Sequence, residues 1–306
     1  MAKSSSMTRN QKSTFAKSSS YIFLLFWLFV TLFPIFWMLS TSFKPPQEWF
    51  AWPPLWIPAE ATLNNYTEIL AIGPGGTGSE DTQLGGAQQV LTAVLPVRDS
   101  LIVAIISSLI SVILGAFLAY TISRYQTGGK RYPYVLLMIR MMPPIVIAVP
   151  VLAYFTLPWW RGALHDNYPG LIIPYVLVTL PYAVWLMMSF MQEVPRELEN
   201  AARMMGAGRI LVMRKVIIPL IRPGLAVTFI FTFILNWSEF LLAYTLAGQE
   251  LVTVTVQLSQ YEAADVGRLY GPQAAFGTIA IIPLIILGFI IQKHLVTGFS
   301  FGMIRK

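Results

Sequence analysis

Apolar positions along the chain gather into six long runs, at residues 21–41, 97–121, 132–157, 170–191, 224–247 and 273–293. Each is long enough to cross the hydrocarbon of a bilayer, which takes about 17–25 residues as a helix. Backbone polar groups in hydrocarbon must pair inside the protein, so a spanning segment is either a helix or a strand of a closed barrel. Uninterrupted runs such as "LIVAIISSLISVILGAFLAY" lack the alternation of a barrel strand. The pattern therefore predicts an all-α, polytopic membrane protein with six transmembrane helices. Residues 1–20, "MAKSSSMTRNQKSTFAKSSS", read as a basic, serine-rich disordered tail, and residues 21–306 as the transmembrane domain. The first run is longer than a signal-peptide core of about 7–15 residues. It ends in "STSFKPP", a poor cleavage site, so it is expected to be retained.

Composition sharpens this picture. Charged residues make up 11% of the chain and hydrophobic residues 56%, against about 25% charged in soluble domains. The net charge of +7 could suggest nucleic acid, but its placement points to topology instead. Sixteen basic residues fall in the N-terminal tail, the second-to-third and fourth-to-fifth connections and the C-terminus, and four fall in the other connections. Basic residues favour the cytoplasmic side, so both termini and the segment near residue 200 are expected there. The connections 42–96, 158–169 and 248–272 are then outside. The first of these holds "WFAWPPLWIP", whose Trp49, Trp52 and Trp56 suit the headgroup level, and "GPGGTGSEDTQLGG", which reads as a flexible loop. Trp159-Trp160-Arg161 reads as an interfacial anchor, with sugar stacking as the alternative.

Several chemistries drop out. The chain has no cysteine, which removes disulfides and thiolate ligands. No G-x-x-x-x-G-K-[ST] phosphate loop occurs, since Gly129-Lys130 is followed by Arg131. His165 and His294 are predicted near opposite surfaces, and neither has metal-ligand spacing. No nucleophile elbow, carboxylate dyad or 20–50-residue repeat is present. No metal, catalytic or cofactor site is expected on this chain.

The segment "ENAARMMGAGRILVMRKVIIP" stands out because it is basic and lies between two apolar runs. Val194, Leu198, Ala201, Ala202 and Met205 fall on one helical face. Pro195 suits a first turn, Glu197 and Glu199 favour the positive end of the helix dipole, and Gly206 or Gly208 can end it. A helix over about 195–208 is predicted, too short to span. By its residues it could lie on lipid headgroups or in the groove of another protein.

"PRELENAARMMGAGRILVMRKVIIPLIRPG" resembles the cytoplasmic EAA signature of permease subunits of bacterial ABC importers. "SFKPPQEWF", "PPLWIP", "MMPP", "LPYAVWLMMSF" and "NWSEFLLA" extend the likeness, in order, to the maltose-type carbohydrate branch and its six-helix permease. The resemblance implies a type I permease fold in a bacterial inner membrane. It implies that residues 195–208 form the coupling helix, with Glu199, Asn200, Ala201, Ala202, Arg203, Met205 and Gly206 meeting an ATPase. The implied partners are a second homologous permease in a heterodimer, two copies of the ATPase, which uses ATP and Mg, and an extracytoplasmic solute-binding protein. Membrane lipid surrounds them, and no nucleic acid is involved. The implied substrate is a carbohydrate or related polar solute, such as a disaccharide, polyol, glycerol phosphate or modified sugar. Asn200 stands where the family usually has Glu, and Met205 where it usually has Asp, so the charged contacts of those positions do not carry over.

Thr228, Thr232, Asn236 and Glu239 form a polar stripe on the fifth run. It could line a solute path or bond neighbouring helices. Arg140 and the prolines 143, 144, 174 and 181 lie inside the third and fourth runs, where prolines disturb helical hydrogen bonding. An ion-coupled secondary transporter would show paired interrupted helices in a repeat. A membrane-embedded enzyme would need convergent catalytic residues. Neither pattern is found.

Overall fold

The computed structural model describes residues 9–70, 92–129, 131–141, 143–159, 164–248, 250–263 and 267–302. The glycine-rich loop and Trp160-Arg161 lie outside these residues. Among the described residues the regular elements are helices, apart from two paired two-residue strands, Glu262–Ala263 and Gly267–Arg268. It divides into two compact units, Met1–Gln89 with Ala263–Ile279, and Val90–Glu262 with Ala280–Lys306.

In the first unit, α1 (Arg9–Ser42) contains the first predicted span. It starts inside the expected disordered tail, so residues 9–20 are helical instead. No helix breaker separates them from the apolar run, and an established helix propagates far more easily than it starts. Beyond α1 the chain folds over Lys44, whose Nζ donates to the Leu55 carbonyl at 2.6 Å and sits 4.1 Å from the centre of the Trp37 ring. Asn65 in α2 (Asn64–Ile69) donates to the carbonyls of Ser42 and Lys44, both at 2.9 Å. Burial pulls the Lys44 ammonium below the usual lysine range, with Glu48 acting the other way. Of the three tryptophans, Trp52 and Trp56 are exposed, while Trp49 donates to the Lys44 carbonyl at 3.0 Å.

The second unit is built on α3 (Val94–Tyr125). Its positions divide cleanly at helical period: Val103, Ala104, Ser107, Ser108, Ser111, Val112, Ala116, Ala119 and Tyr120 are buried. Ile105, Ile106, Leu109, Ile110, Ile113, Leu114, Phe117 and Leu118 are exposed. The inward face is small, so another helix can approach closely. After α3 come α4 (Tyr132–Arg140) and α5 (Pro144–Phe155). These two replace the single third span that was expected. Pro143 caps α5 and Pro144 is its first residue. A proline favours a helix start, while the residue before it is driven out of helical geometry. Together they end one helix and begin another.

The fourth run is α6 (Tyr168–Glu193), which continues through Pro174 and Pro181 and is capped by the Asn167 side chain accepting from Gly170 N–H at 3.0 Å. Next come α7 (Arg196–Met204), α8 (Arg209–Val212), a π turn (Met213–Ile217) and α9 (Ile218–Leu220). The fifth predicted span becomes α10 (Arg222–Trp237) and α11 (Leu241–Leu246), with a break at 238–240. The stretch Arg209–Leu220 meets α10 at 78°. After α12 (Val254–Ser259), α13 (Tyr270–Gly302) holds the sixth span. Among the described residues, four helices are each long and apolar enough to cross a membrane unbroken: Ser20–Ser42, Val94–Tyr125, Tyr168–Glu193 and Tyr270–Ile290.

α3, α6 and α10 pack against one another in layers along α3. One apolar layer joins Val103, Phe155, Leu171, Tyr175, Leu242 and Leu246. The other joins Ala116, Ala119, Tyr120, Met187, Met191, Ala202 and Ile217. Between them lies a polar layer, with Ser111 Oγ and Thr179 Oγ1 2.9 Å apart and Asn236 Nδ2 donating to Ser107 and Ser108 at 2.9 and 3.0 Å. Gly115 marks a close approach of α3 to α6, since a Cβ there would lie 2.8 Å from Ala183 Cβ. Gly115→Val should lower the stability of the detergent-solubilised protein by about 1–3 kcal/mol. Gly288→Ala, with open space around it, should not. Thermal unfolding of the two variants checks this.

Candidate functional site

α7 is short because its sequence supplies both ends. Pro195 precedes it in extended geometry, and Glu197 and Glu199 occupy its first turn. At the other end Gly206 takes φ +84°. Gly206 N–H donates to the Arg203 carbonyl at 2.9 Å, and Ala207 N–H reaches back to the Ala202 carbonyl at 3.1 Å. This pair of bonds is a Schellman cap, which needs a residue free to adopt the left-handed region.

The helix is rolled relative to its apolar stripe. Val194 and Ala202 face inward, but Leu198, Ala201 and Met205 face out, so the five do not share one buried face. The residue that sets the roll is Glu199, whose side chain is 4% exposed and paired with Arg124, 8% exposed, at the end of α3. Tyr120 Oη donates to the other Glu199 oxygen at 3.3 Å. Arg124 Nη2 also donates to the Val194 carbonyl at 2.7 Å, in the joint between α6 and α7. Arg203 Nη2 donates to Tyr120 and Tyr125 at 3.3 and 3.0 Å, and Arg209 lies over the Tyr125 ring at 5.2 Å. Hydrogen bonding to Tyr120, followed by the field of Tyr125, raises the Arg203 pKa. A buried carboxylate is strongly disfavoured unless paired, so Glu199 and Arg124 fix each other's position.

Of the residues expected to meet an ATPase, then, Glu199 and Ala202 face this chain's own core. Asn200, Ala201, Arg203, Met205 and Gly206 remain exposed. Beside the exposed Asn200 and Arg203, this surface carries large apolar side chains, with Met204 89%, Met205 83% and Ile210 82% accessible. Sequence reading assigned Arg124 only to topology. Its signal was a cation in the last turn of a long, mostly apolar helix, which calls for a nearby anion.

The polar stripe divides in two. Thr228, Thr232 and Asn236 are buried in helix contacts. Thr228 Oγ1 donates to Met187 Sδ at 3.3 Å, Thr232 Oγ1 to the Thr228 carbonyl at 2.9 Å, and Asn236 to the α3 serines. Glu239 is only partly buried and sits in the break between α10 and α11. Its carboxylate accepts from Leu242 N–H at 3.2 Å, and its carbonyl accepts from Thr255 Oγ1 at 2.7 Å and Tyr175 Oη at 3.4 Å. A further anchor was missed in the sequence. Asp166, at φ +53°, accepts the N–H groups of Gly248, Glu250 and Leu251 at 2.7, 3.1 and 3.1 Å. Among the described residues, no group of three His, Asp or Glu side chains could hold a metal.

Residues 111–300 match the family described as "Binding-protein-dependent transport system inner membrane component". The trehalose transport system permease protein SugB of Mycobacterium tuberculosis is 32% identical over 277 residues, covering 90% of this chain and 92% of that protein. The trehalose/maltose transport system permease protein MalG of Thermococcus litoralis is 27% identical over 278 residues, with 90% and 92% covered. A chain in the crystal structure of a bacterial ABC transporter involved in alginate import shares the fold. Its TM-score is 0.69 at 18% identity, with 94% of this chain and 98% of that one covered.

Gly206→Ala should strain the cap and loosen α7. Trypsin cleavage after Arg203 and Arg209 should quicken about fivefold, matching ~1 kcal/mol of easier local opening. Gly208→Ala, at φ −67° with open space around it, should leave the rate unchanged.

Proposed function

The chain belongs to the family of binding-protein-dependent transport system inner membrane components, and from that premise we propose that it is one of two permeases in an importer for a carbohydrate or related polar solute. As an ABC importer permease it is a non-catalytic subunit working with a separate ATPase and a substrate-binding protein. The second permease is a homologous, different chain, and two copies of the ATPase use ATP and Mg beneath the pair. Relatives named for trehalose and maltose transport support the carbohydrate class. The concentration of basic residues in the tails and around α7 supports a cytoplasmic location for both termini and for that helix.

One observation carries the coupling role. α7 is anchored on the Glu199–Ala202 side and presents Leu198, Ala201, Met204 and Met205 on the other. A short helix with one face fixed and an apolar face free fits a helix-in-groove contact. The ATPase holds that face, and its ATP-dependent closing and opening moves α7. Glu239, in the break of the fifth span, is the candidate for contact with solute, because a partly exposed carboxylate inside a bundle faces protein or water. Thr228 and Asn236 support it by fixing α10 to α6 and α3, and Thr232 is buried beside them with its hydroxyl bonded back to its own helix.

A cysteine at Met205 should cross-link to the ATPase in the assembled, active complex, whereas one at the buried Ala202 should not. Absence of the Met205 product in an active complex would refute the docking role. Glu239→Ala should cut uptake while the complex still assembles. Asn236→Ala should mainly cost stability, about 1 kcal/mol. Uptake into vesicles and unfolding in detergent separate the two.

A further inference from the structure

Both chain connections of α7 are non-helical. Val194, with ψ 118°, and Pro195, with ψ 134°, separate it from α6. Gly206 at φ +84° and Gly208 at ψ 163° separate it from α8. Such joints bend readily, so a push on α7 passes poorly along the backbone, and its firm connection to the bundle is lateral. Its side-chain hydrogen bonds to the bundle fall on the last turns of α3, while Ala202 packs in the apolar layer with Val212, Met213 and Ile217. Arg124 binds Glu199 on α7 and the Val194 carbonyl in the joint, Tyr120 bridges Glu199 and Arg203, and Arg196 Nη2 donates to the Ser123 carbonyl at 3.4 Å.

Resting on the ATPase-docking reading above, we propose that Arg124 and Tyr120 form a strut that delivers the displacement of α7 to α3, making them positioning residues for coupling. Charge-assisted hydrogen bonds are directional and resist sliding, unlike apolar contact alone. α3 is itself bound to the rest of the second unit. Gly115 lies against Ala183, Ser111 bonds Thr179, and Asn236 reaches Ser107 and Ser108. A force entering at Arg124 therefore moves α3, α6 and α10 as one block, including the break that holds Glu239. The second apolar layer supports the strut from within, since Tyr120, Met191, Val194 and Ala202 all belong to it. Packed interfaces switch between discrete arrangements rather than deform smoothly, so a stiff lateral link suits the task.

The test uses the full complex in proteoliposomes and compares ATP hydrolysis with and without the solute-binding protein, trehalose being the added probe. Arg124→Gln should lower the stimulation ratio about fivefold or more while the ATPase still co-purifies. Arg124→Lys, which keeps the charge, should recover part of the ratio. Tyr120→Phe keeps the ring packing and should lower the ratio by a smaller factor. Should Arg124→Gln fail to accumulate, Tyr120→Phe and Arg124→Lys carry the comparison. A merely structural role predicts less complex with an unchanged ratio, and that result would overturn the proposal. Failure of the unmodified chain to co-purify with an ATPase would instead overturn the docking reading.

Discussion

A peptide group carried into hydrocarbon must find its hydrogen-bond partner within the protein, and the bundle is organised around that demand. Where the chain is regular, the helix itself meets it, as in α3 and α6. Where the chain breaks, other groups step in. At residues 238–240 the Glu239 carbonyl is taken up by Thr255 and Tyr175. The same demand explains the layer of serines, threonines and Asn236 between the two apolar layers. Hydroxyls in helices can return a bond to their own backbone, as Ser107 does to the Val103 carbonyl at 2.6 Å, and still accept one from a neighbour. Small residues along α3 allow the approach that makes such cross-bonds possible.

Most of the fold could be read from the sequence because long apolar runs have few alternative fates. The first, second, fourth and sixth spans appear as continuous helices close to their expected places. The third and fifth did not, and the reason is local. Pro143-Pro144 was weighed as a disturbance like Pro174 or Pro181, yet an isolated proline leaves α6 continuous while the adjacent pair divides the third span. A single proline removes one donor. A second one directly behind it also restricts the residue before it and opens a new helix. At 238–240 no glycine or proline announces the break, so periodicity alone could not have found it.

α7 was legible in extent but not in roll. Apolar spacing places Leu198, Ala201, Ala202 and Met205 together, and the resemblance implies that Glu199 meets the ATPase. In the fold, the pairing of Glu199 with Arg124 holds the helix so that Ala202 is buried and Leu198, Ala201 and Met205 face out. Breaking a buried pair by removing one partner typically costs about 3–5 kcal/mol, which ties the roll of the helix to this contact. The roll leaves Asn200 and Met205 exposed where the family usually carries acids, giving an outward surface of thioethers and arginines. The sequence held both members of the pair, 75 residues apart, and single-chain pattern reading has no means of joining them.

The Asp166 carboxylate has a consequence of its own. By accepting three amides from residues 248–251, one side chain holds a connection that would otherwise sample many shapes. Fixing a residue's backbone costs about 1–2 kcal/mol in conformational entropy, and here that loss is incurred when the chain folds. Anything that later meets this turn finds its shape already chosen, so recognition there need not begin by taming a wandering loop.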